Sequence, residues 1–255
     1  MKTALIFDVK EFAIHDGPGV RLTFFLKGCP LRCKWCHNPE GQSFKNEYNL
    51  VTKKYVAEPW TSFEVAEYAK KFSDLFLLSK GGITFSGGEA LYFYEFIKEV
   101  KYFLKNENIT IAIETSGYAK EEIFLKVLHV VDIMLFDIKL YDGGQSEYWI
   151  GKDNTLILKN LEKLSLSGMN FIVRIPLIPG VTTRESNLIA IFNHIARLKN
   201  KPEKVELLNY NHLAGAKYSN INRKFTFKPL GSINFKEVNE IVLKYATGLN
   251  VIIKE

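Results

Sequence analysis

Cys29, Cys33 and Cys36 are the only cysteines in this 255-residue chain. They fall within one short run, Gly28-Cys29-Pro30-Leu31-Arg32-Cys33-Lys34-Trp35-Cys36-His37-Asn38-Pro39. An odd number of cysteines crowded into one loop argues against a disulfide framework, which spreads an even number along a small secreted chain. A reducing compartment and a metal site fit better. Thiolates favour soft metals and iron-sulfur clusters, which usually take four protein ligands. Here the fourth cysteine is missing, and an open coordination position is what separates a catalytic metal site from a closed structural one. A zinc ion completed by His37 is the competing metal reading, and buried free thiols are a third.

Other residues of chemical interest follow short apolar runs. Ser86-Gly87-Gly88-Glu89 comes directly after Ile83 to Phe85. Its glycines let backbone approach a ligand closely, and its carboxylate can pair with a cationic amine. The bland alternative is a tight strand-to-helix turn. Glu114-Thr115-Ser116-Gly117 and Asp137-Ile138-Lys139 repeat the pattern. Asp137 and Lys139 alternate, so on an extended backbone both point to the same face, where a simple ion pair is the alternative to a binding role. Arg174 interrupts the apolar run Phe171 to Ile175 and needs a partner or a cavity there. Asn211 and His212 lie in the polar stretch Asn209 to Tyr218, after Val205 to Leu208. Taken alone, His212 reads as a satisfied loop histidine.

The elements that must position these residues alternate in type. Strands are expected at Thr3 to Phe7, Leu22 to Leu26, Ile83 to Phe85, Ile109 to Ile113, Ile133 to Phe136, Phe171 to Ile175, Val205 to Leu208 and Val251 to Ile253. Thr61-Ser62-Phe63-Glu64 has capping-box spacing and predicts a helix start. Further helices are expected at Tyr92 to Lys105, Lys120 to His129, Thr155 to Leu166, Glu185 to Lys199 and Phe235 to Ala246. The alternation implies parallel strands joined by right-handed crossovers, with charged residues collected at the strand C-terminal ends of a barrel-like sheet. Residues 41 to 60 are the least regular stretch. No repeat divides the chain, so residues 1 to 255 read as one domain.

Composition sets limits. The chain is 47% hydrophobic with a formal net charge of +6. No apolar run approaches the roughly 20 residues of a spanning helix, and the N-terminus lacks the long apolar stretch of a signal peptide. A cytoplasmic protein with no membrane partner is expected. The basic pairs Lys53-Lys54, Lys70-Lys71 and Arg223-Lys224 are short and separated, so they read as solvated faces rather than as a nucleic-acid stripe.

The C-x3-C-x2-C spacing, with Trp35 just before the last cysteine, resembles the cluster loop of the radical S-adenosylmethionine (SAM) superfamily. Ser86-Gly87-Gly88-Glu89 resembles that superfamily's Gly-Gly-Glu segment, with Ala90 in place of the usual following proline. His15-Asp16-Gly17-Pro18-Gly19-Val20-Arg21, Phe24 to Gly28 and Cys36-His37-Asn38-Pro39-Glu40 narrow the resemblance to the glycyl radical enzyme activating enzymes. Thr84 to Glu89, Glu114 to Gly117, Asp137-Ile138-Lys139 and Asn209 to Tyr218 match in the same order, so the resemblance spans nearly the whole chain.

By that resemblance the fold is α/β, a partial (β/α)6-type TIM barrel of the radical SAM kind with extra N- and C-terminal elements. Cys29, Cys33 and Cys36 ligate three irons of a 4Fe-4S cluster, and SAM chelates the fourth. One-electron cleavage of SAM yields a 5′-deoxyadenosyl radical, which abstracts hydrogen from a glycine of a large partner, a glycyl radical enzyme. Asp16 meets the partner's glycine loop and Trp35 lies near the adenine. Gly87, Gly88 and Glu89 bind SAM's amine. Lys139 and Arg174 serve its carboxylate or ribose, and Asn211 or His212 its adenine side. Glu114, Thr115 and Asp137 occupy the positions of a monovalent cation site, with Glu114 departing from the family's aspartate.

Relatives with a Cys-His-Asn-Pro-Glu loop usually continue into a ferredoxin-like insert with eight further cysteines. Residues 41 to 80 contain none. The single cluster is therefore expected to take its electron directly from a reduced flavodoxin or ferredoxin, acidic proteins suited to a basic surface. A monomer is expected. Two alternatives stand beside this reading. One is a radical SAM enzyme acting on a small molecule, such as a 7-carboxy-7-deazaguanine synthase-like protein. The other is a metal-binding regulatory or nucleic-acid-binding module.

Overall fold

The computed structural model describes residues 1–211 and 214–254. Among these, the strands β1 (Thr3–Ala13), β2 (Arg21–Leu26), β5 (Glu58–Thr61), β6 (Gly82–Gly87), β7 (Thr110–Thr115), β8 (Ile133–Asp137), β9 (Phe171–Leu177), β10 (Lys204–Asn209) and β11 (Val251–Lys254) form one nine-stranded sheet. Its order is β11-β10-β9-β8-β7-β6-β2-β1-β5. From β2 through β6, β7, β8, β9 and β10 to β11 every pairing is parallel. The hairpin partner β1 and then β5 add antiparallel strands at one edge. β5 and β11 are the two edges, so the sheet is an open one. The partial barrel is thus observed, with β1 and β5 as the extra N-terminal elements and β11 as the C-terminal one.

Between the parallel strands run α1 (Ser62–Lys70), α2 (Ser73–Ser79), α3 (Tyr94–Phe103), α4 (Glu121–Leu128), α5 (Gly143–Ile150), α6 (Thr155–Ser167), α7 (Glu185–Arg197), α8 (Ala214–Asn220) and α9 (Phe235–Tyr245). α1 starts where the capping box predicts: Thr61 Oγ1 accepts from Glu64 N at 3.2 Å, and Glu64 Oε2 accepts from Thr61 N at 2.7 Å. The expected helix at Tyr92 begins instead as a 3-10 turn, Ala90–Phe93, before α3. The first strand outruns expectation: β1 continues to Ala13, because Asp8 to Ala13 is held by hairpin pairing with β2 and needs little apolar character. α2, α5 and α8 were not expected; at seven or eight residues each they are too short to show a helical period. Residues 41–60 contain only the two-residue strands β3 (Tyr48–Asn49) and β4 (Lys54–Tyr55), which pair with each other, and the start of β5.

Period-2 alternation gives the parallel strands two distinct faces. Ile111, Ile113, Met134, Phe136, Phe171 and Val173 belong to the main core against the helices. Their neighbours Ala112, Leu135 and Ile172 form a separate small cluster on the inner face. Two residues further along each of these strands stand Glu114, Asp137 and Arg174, so the inner face turns from apolar to charged toward the strand C-terminal ends. No helix among the described residues is long and apolar enough to cross a membrane.

Candidate active site

The cysteine loop follows β2 and is fixed by backbone bonds to two other segments. Gly28 N donates to Gly41 O at 2.8 Å, Arg32 N to Ile150 O at 2.8 Å and Lys34 N to Trp149 O at 3.0 Å. The last two make α5, invisible to the sequence reading, a wall of the loop. Trp35 is buried against Trp149 and Phe227, with ring centroids 6.2 and 5.9 Å away. The segment after the cysteines is clamped by Lys27, whose buried Nζ donates to Glu40 O at 2.6 Å and Glu47 Oε2 at 2.7 Å. Arg223 completes the clamp on Gln42 and Glu47.

The Gly-Gly-Glu turn crosses directly over this loop. Glu89 N donates to Gly28 O at 2.9 Å and Gly88 N to Leu26 O at 2.7 Å. A Cβ on Gly88 would lie 2.2 Å from Gly28 O, so the two backbones can approach only with glycine there. This close crossing, rather than a turn requirement alone, is what the glycine at 88 serves.

Both segments face one cavity of about 300 Å³. Cys29, Cys33, Cys36 and Trp35 line it from one side; Gly87, Gly88, Glu89, Glu114, Thr115, Asp137, Lys139 and Asn211 line it from the strand C-terminal ends. The structure therefore gathers most of the expected site residues around a single space. Arg174 and Asp16 are not among its lining residues, and His212 lies outside the described residues. Ser86, Ser116 and Tyr210 also line the cavity but were not singled out. The two serines lie within motifs already quoted, which is the signal that could have found them.

Glu89 is 1% exposed, and both of its oxygens are engaged at the cavity wall. Its Oε2 accepts from Ser116 N at 3.0 Å and Ser116 Oγ at 2.5 Å, while Oε1 accepts from Thr115 Oγ1 and from Leu91 N at 3.2 Å. Burial lifts its pKa above the ordinary carboxylate value despite these bonds. The carboxylate thus ties the Gly-Gly-Glu turn to the end of β7. Asp137 and Lys139 share a face as expected and form an ion pair at 2.9 Å. Burial opposes the Lys139 charge, but Asp137 overcomes it and holds the ammonium above its ordinary range.

Below the cavity floor, Arg174 answers its need for a partner three times over. Nε donates to Glu206 Oε2 at 3.0 Å, and its other nitrogens donate to Glu114 Oε1 and His15 O. Glu206 is buried and also receives Lys204 and Lys254, each at 2.9 Å. Glu114 accepts on its second oxygen from Ser86 Oγ, and burial, opposed by Arg174, raises its pKa. A cation at Glu114, Thr115 and Asp137 would compete with Arg174 for Glu114. Asp16 sits beside this ladder on the inner face: its Oδ2 accepts from Thr23 Oγ1 at 2.8 Å and its carbonyl accepts from Thr84 Oγ1 at 2.7 Å. The loop carrying it is anchored by the fully buried Arg21, whose donors reach Pro18 O, Ile83 O, Thr84 Oγ1 and both the carbonyl and hydroxyl of Thr110.

The donor set can be tested for the metal it suits. Among the described residues, no three His, Cys, Asp or Glu side chains are grouped to hold a metal ion, so zinc on the three thiols and His37 finds no support. A single zinc draws its ligands to about 2.0–2.3 Å from one point. A cluster takes one thiolate per iron and is a larger body than a single ion, and the three thiols all line one cavity with room beside them. Burial pushes all three thiols up, Cys33 to about 12, so positive charge from bound iron is what would hold them as thiolates. The residues fit a three-cysteine cluster.

Residues 23–190 match the family model of the radical SAM superfamily. The chain belongs to that superfamily, in its branch of glycyl radical enzyme activating enzymes. It is 32% identical to the trans-4-hydroxy-L-proline dehydratase activating enzyme of Clostridioides difficile, over 93% of this chain and 94% of that one. It is 28% identical to the choline trimethylamine-lyase activating enzyme of Oleidesulfovibrio alaskensis (strain ATCC BAA-1058 / DSM 17464 / G20), over 98% of both. The first alignment runs over 285 positions, more than the 255 of this chain, so gaps fall in the radical SAM protein described here. A domain of pyruvate-formate lyase-activating enzyme from Bacteroides vulgatus ATCC 8482 superposes with a TM-score of 0.57 at 26% identity, covering 69% of this chain and 99% of that one.

Proposed function

We propose that this radical SAM enzyme installs a glycyl radical on a partner enzyme. The observation that carries the reading is the convergence of the three-thiol loop and the charged strand ends of β6, β7 and β8 on one cavity, in a chain related over its length to activating enzymes. When bound on Cys29, Cys33 and Cys36, the cluster supplies the electron that breaks SAM's sulfonium bond, giving methionine and the 5′-deoxyadenosyl radical that removes hydrogen from the partner's glycine. The protein's own residues do the positioning. Lys139, kept charged by Asp137, pairs with SAM's carboxylate. Glu89 holds the Gly87-Gly88 backbone and the end of β7 where SAM's amine docks, its buried charge favouring that cation. Trp35 and Asn211 flank the adenine. Arg174 works one layer down, holding Glu114 in place, and needs no contact with SAM. Asp16, on the inner face beside this ladder, receives the partner's glycine loop. The electron comes from a reduced acidic flavodoxin or ferredoxin, and the enzyme works as a single-domain monomer in the reducing cytoplasm.

Anaerobic reconstitution with iron and sulfide, reduction in the presence of SAM, and addition of candidate glycyl radical enzymes tests the reading. Electron paramagnetic resonance should show a glycine-centred radical on one of the partners. SAM cleavage without such a radical on any partner would move the reading to a small-molecule substrate of the 7-carboxy-7-deazaguanine synthase kind. Absence of both cluster signal and cleavage would sink both readings.

A further inference from the structure

The cysteine loop lines the cavity and, just past Cys36, also meets α8. There Lys217 Nζ donates to Asn38 Oδ1 at 3.2 Å, two residues beyond Cys36. Leu50 N donates to Asn220 O at 2.8 Å, which brings the β3–β4 hairpin onto the end of α8. Lys53-Lys54 and Arg223-Lys224, far apart in sequence, thereby join one face.

That face is one-signed. From Leu207 to Lys236 the chain carries five Lys and Arg and no Asp or Glu. Of the nearby acids, Glu47 lies between Lys27 and Arg223 and Glu40 has a buried Oε2, while Glu58 at the start of β5 is exposed. Lys45, Lys53, Lys54, Lys217, Lys224 and Lys228 are exposed. Among them stand Tyr48, Leu50, Val51 and Tyr55, exposed at 49%, 54%, 70% and 67%. Apolar residues ringed by one sign of charge mark an interaction surface for a partner of opposite sign.

We propose that this face docks an acidic electron-donor protein, so that the electron enters over α8 and the β3–β4 hairpin, beside the Cys36 loop, while SAM and the glycine loop use the cavity. The inference rests on the proposed function. The donor loses one electron, the cluster gains it, and no atom is exchanged.

The test uses the reconstituted holoenzyme and a triple variant, Lys53→Glu, Lys54→Glu, Lys224→Glu, assayed for 5′-deoxyadenosine with dithionite or with a reduced acidic flavodoxin. The flavodoxin-driven rate at low salt should fall about tenfold or more, with the gap closing as salt rises, and the dithionite-driven rate should hold. The triple Lys→Gln variant, which removes charge without reversing it, should lose less in the same direction. An unchanged flavodoxin rate overturns the docking site. So does an equal fall with dithionite, or a loss of partner glycyl radical under dithionite while 5′-deoxyadenosine holds, which would assign the face to the glycyl radical enzyme. Wild-type enzyme inactive with dithionite overturns the parent reading, and this inference with it.

Discussion

The cavity's two walls are built by different means. On the cysteine side, position comes from backbone: Gly28 bonded to Gly41 and to Glu89, Arg32 to Ile150, Lys34 to Trp149, with aromatic rings packed behind. On the strand side, position comes from buried charge, in the chain Glu114–Arg174–Glu206 and the pair Asp137–Lys139. The difference follows from what each wall holds. Thiols that must take iron are best placed by contacts that leave their sulfurs uncommitted. Groups that meet a charged cofactor need their own charges sustained inside the protein, and that requires partners.

The comparison predicts which substitutions cost activity and which cost stability. The largest effect is expected from Cys33→Ala: 5′-deoxyadenosine formation should drop to background while circular dichroism stays native, and unaffected turnover would refute the ligation. Arg174→Met should act the other way round. It takes from the half-buried Glu114 its ion-pair partner and from Glu206 one of three cations, and urea unfolding should show a loss of about 3 kcal/mol; a neutral result would mean the ladder does not hold the strand wall. Gly88→Ala joins the two walls, and its crowding against Gly28 O should cost about 1–3 kcal/mol and weaken SAM binding measured by calorimetry.

Acid should find the strand wall first. Burial works against the Glu206 charge, but Lys254, Lys204 and Arg174 hold its pKa below the ordinary 4.5. A depressed folded pKa contributes stability that is present above 4.5 and is lost as pH falls through the folded value. Melting curves from pH 6 downward should therefore fall less steeply in Glu206→Gln than in wild type; identical slopes would remove Glu206 from the account. The smallest effect belongs outside both walls. Thr61→Ala should cost about 1 kcal/mol through loss of the capping box and leave SAM cleavage unchanged.

The sequence alone determined the ligand loop, because its three thiols fall within one short run and their spacing is itself the signal. It also determined the parallel strand order of residue types, since apolar runs ending in polar residues are local patterns, and it set Asp137 and Lys139 on one face by simple alternation. Tertiary structure decided the rest. Arg174 meets Glu114 and Glu206 across 60 and 32 positions, and no local period records such a pairing. Glu89 reads as an open ligand until Thr115 and Ser116, supplied by the next strand, are seen to occupy its oxygens. α5 and α8 are too short to announce themselves, yet they cover the two flanks of the cysteine loop. Scattered lysines became a single basic face only when the β3–β4 hairpin reached Asn220. Covalent order carries chemistry that neighbours in sequence can perform together; charge partnerships between distant strands exist only once the sheet has brought their ends to one place.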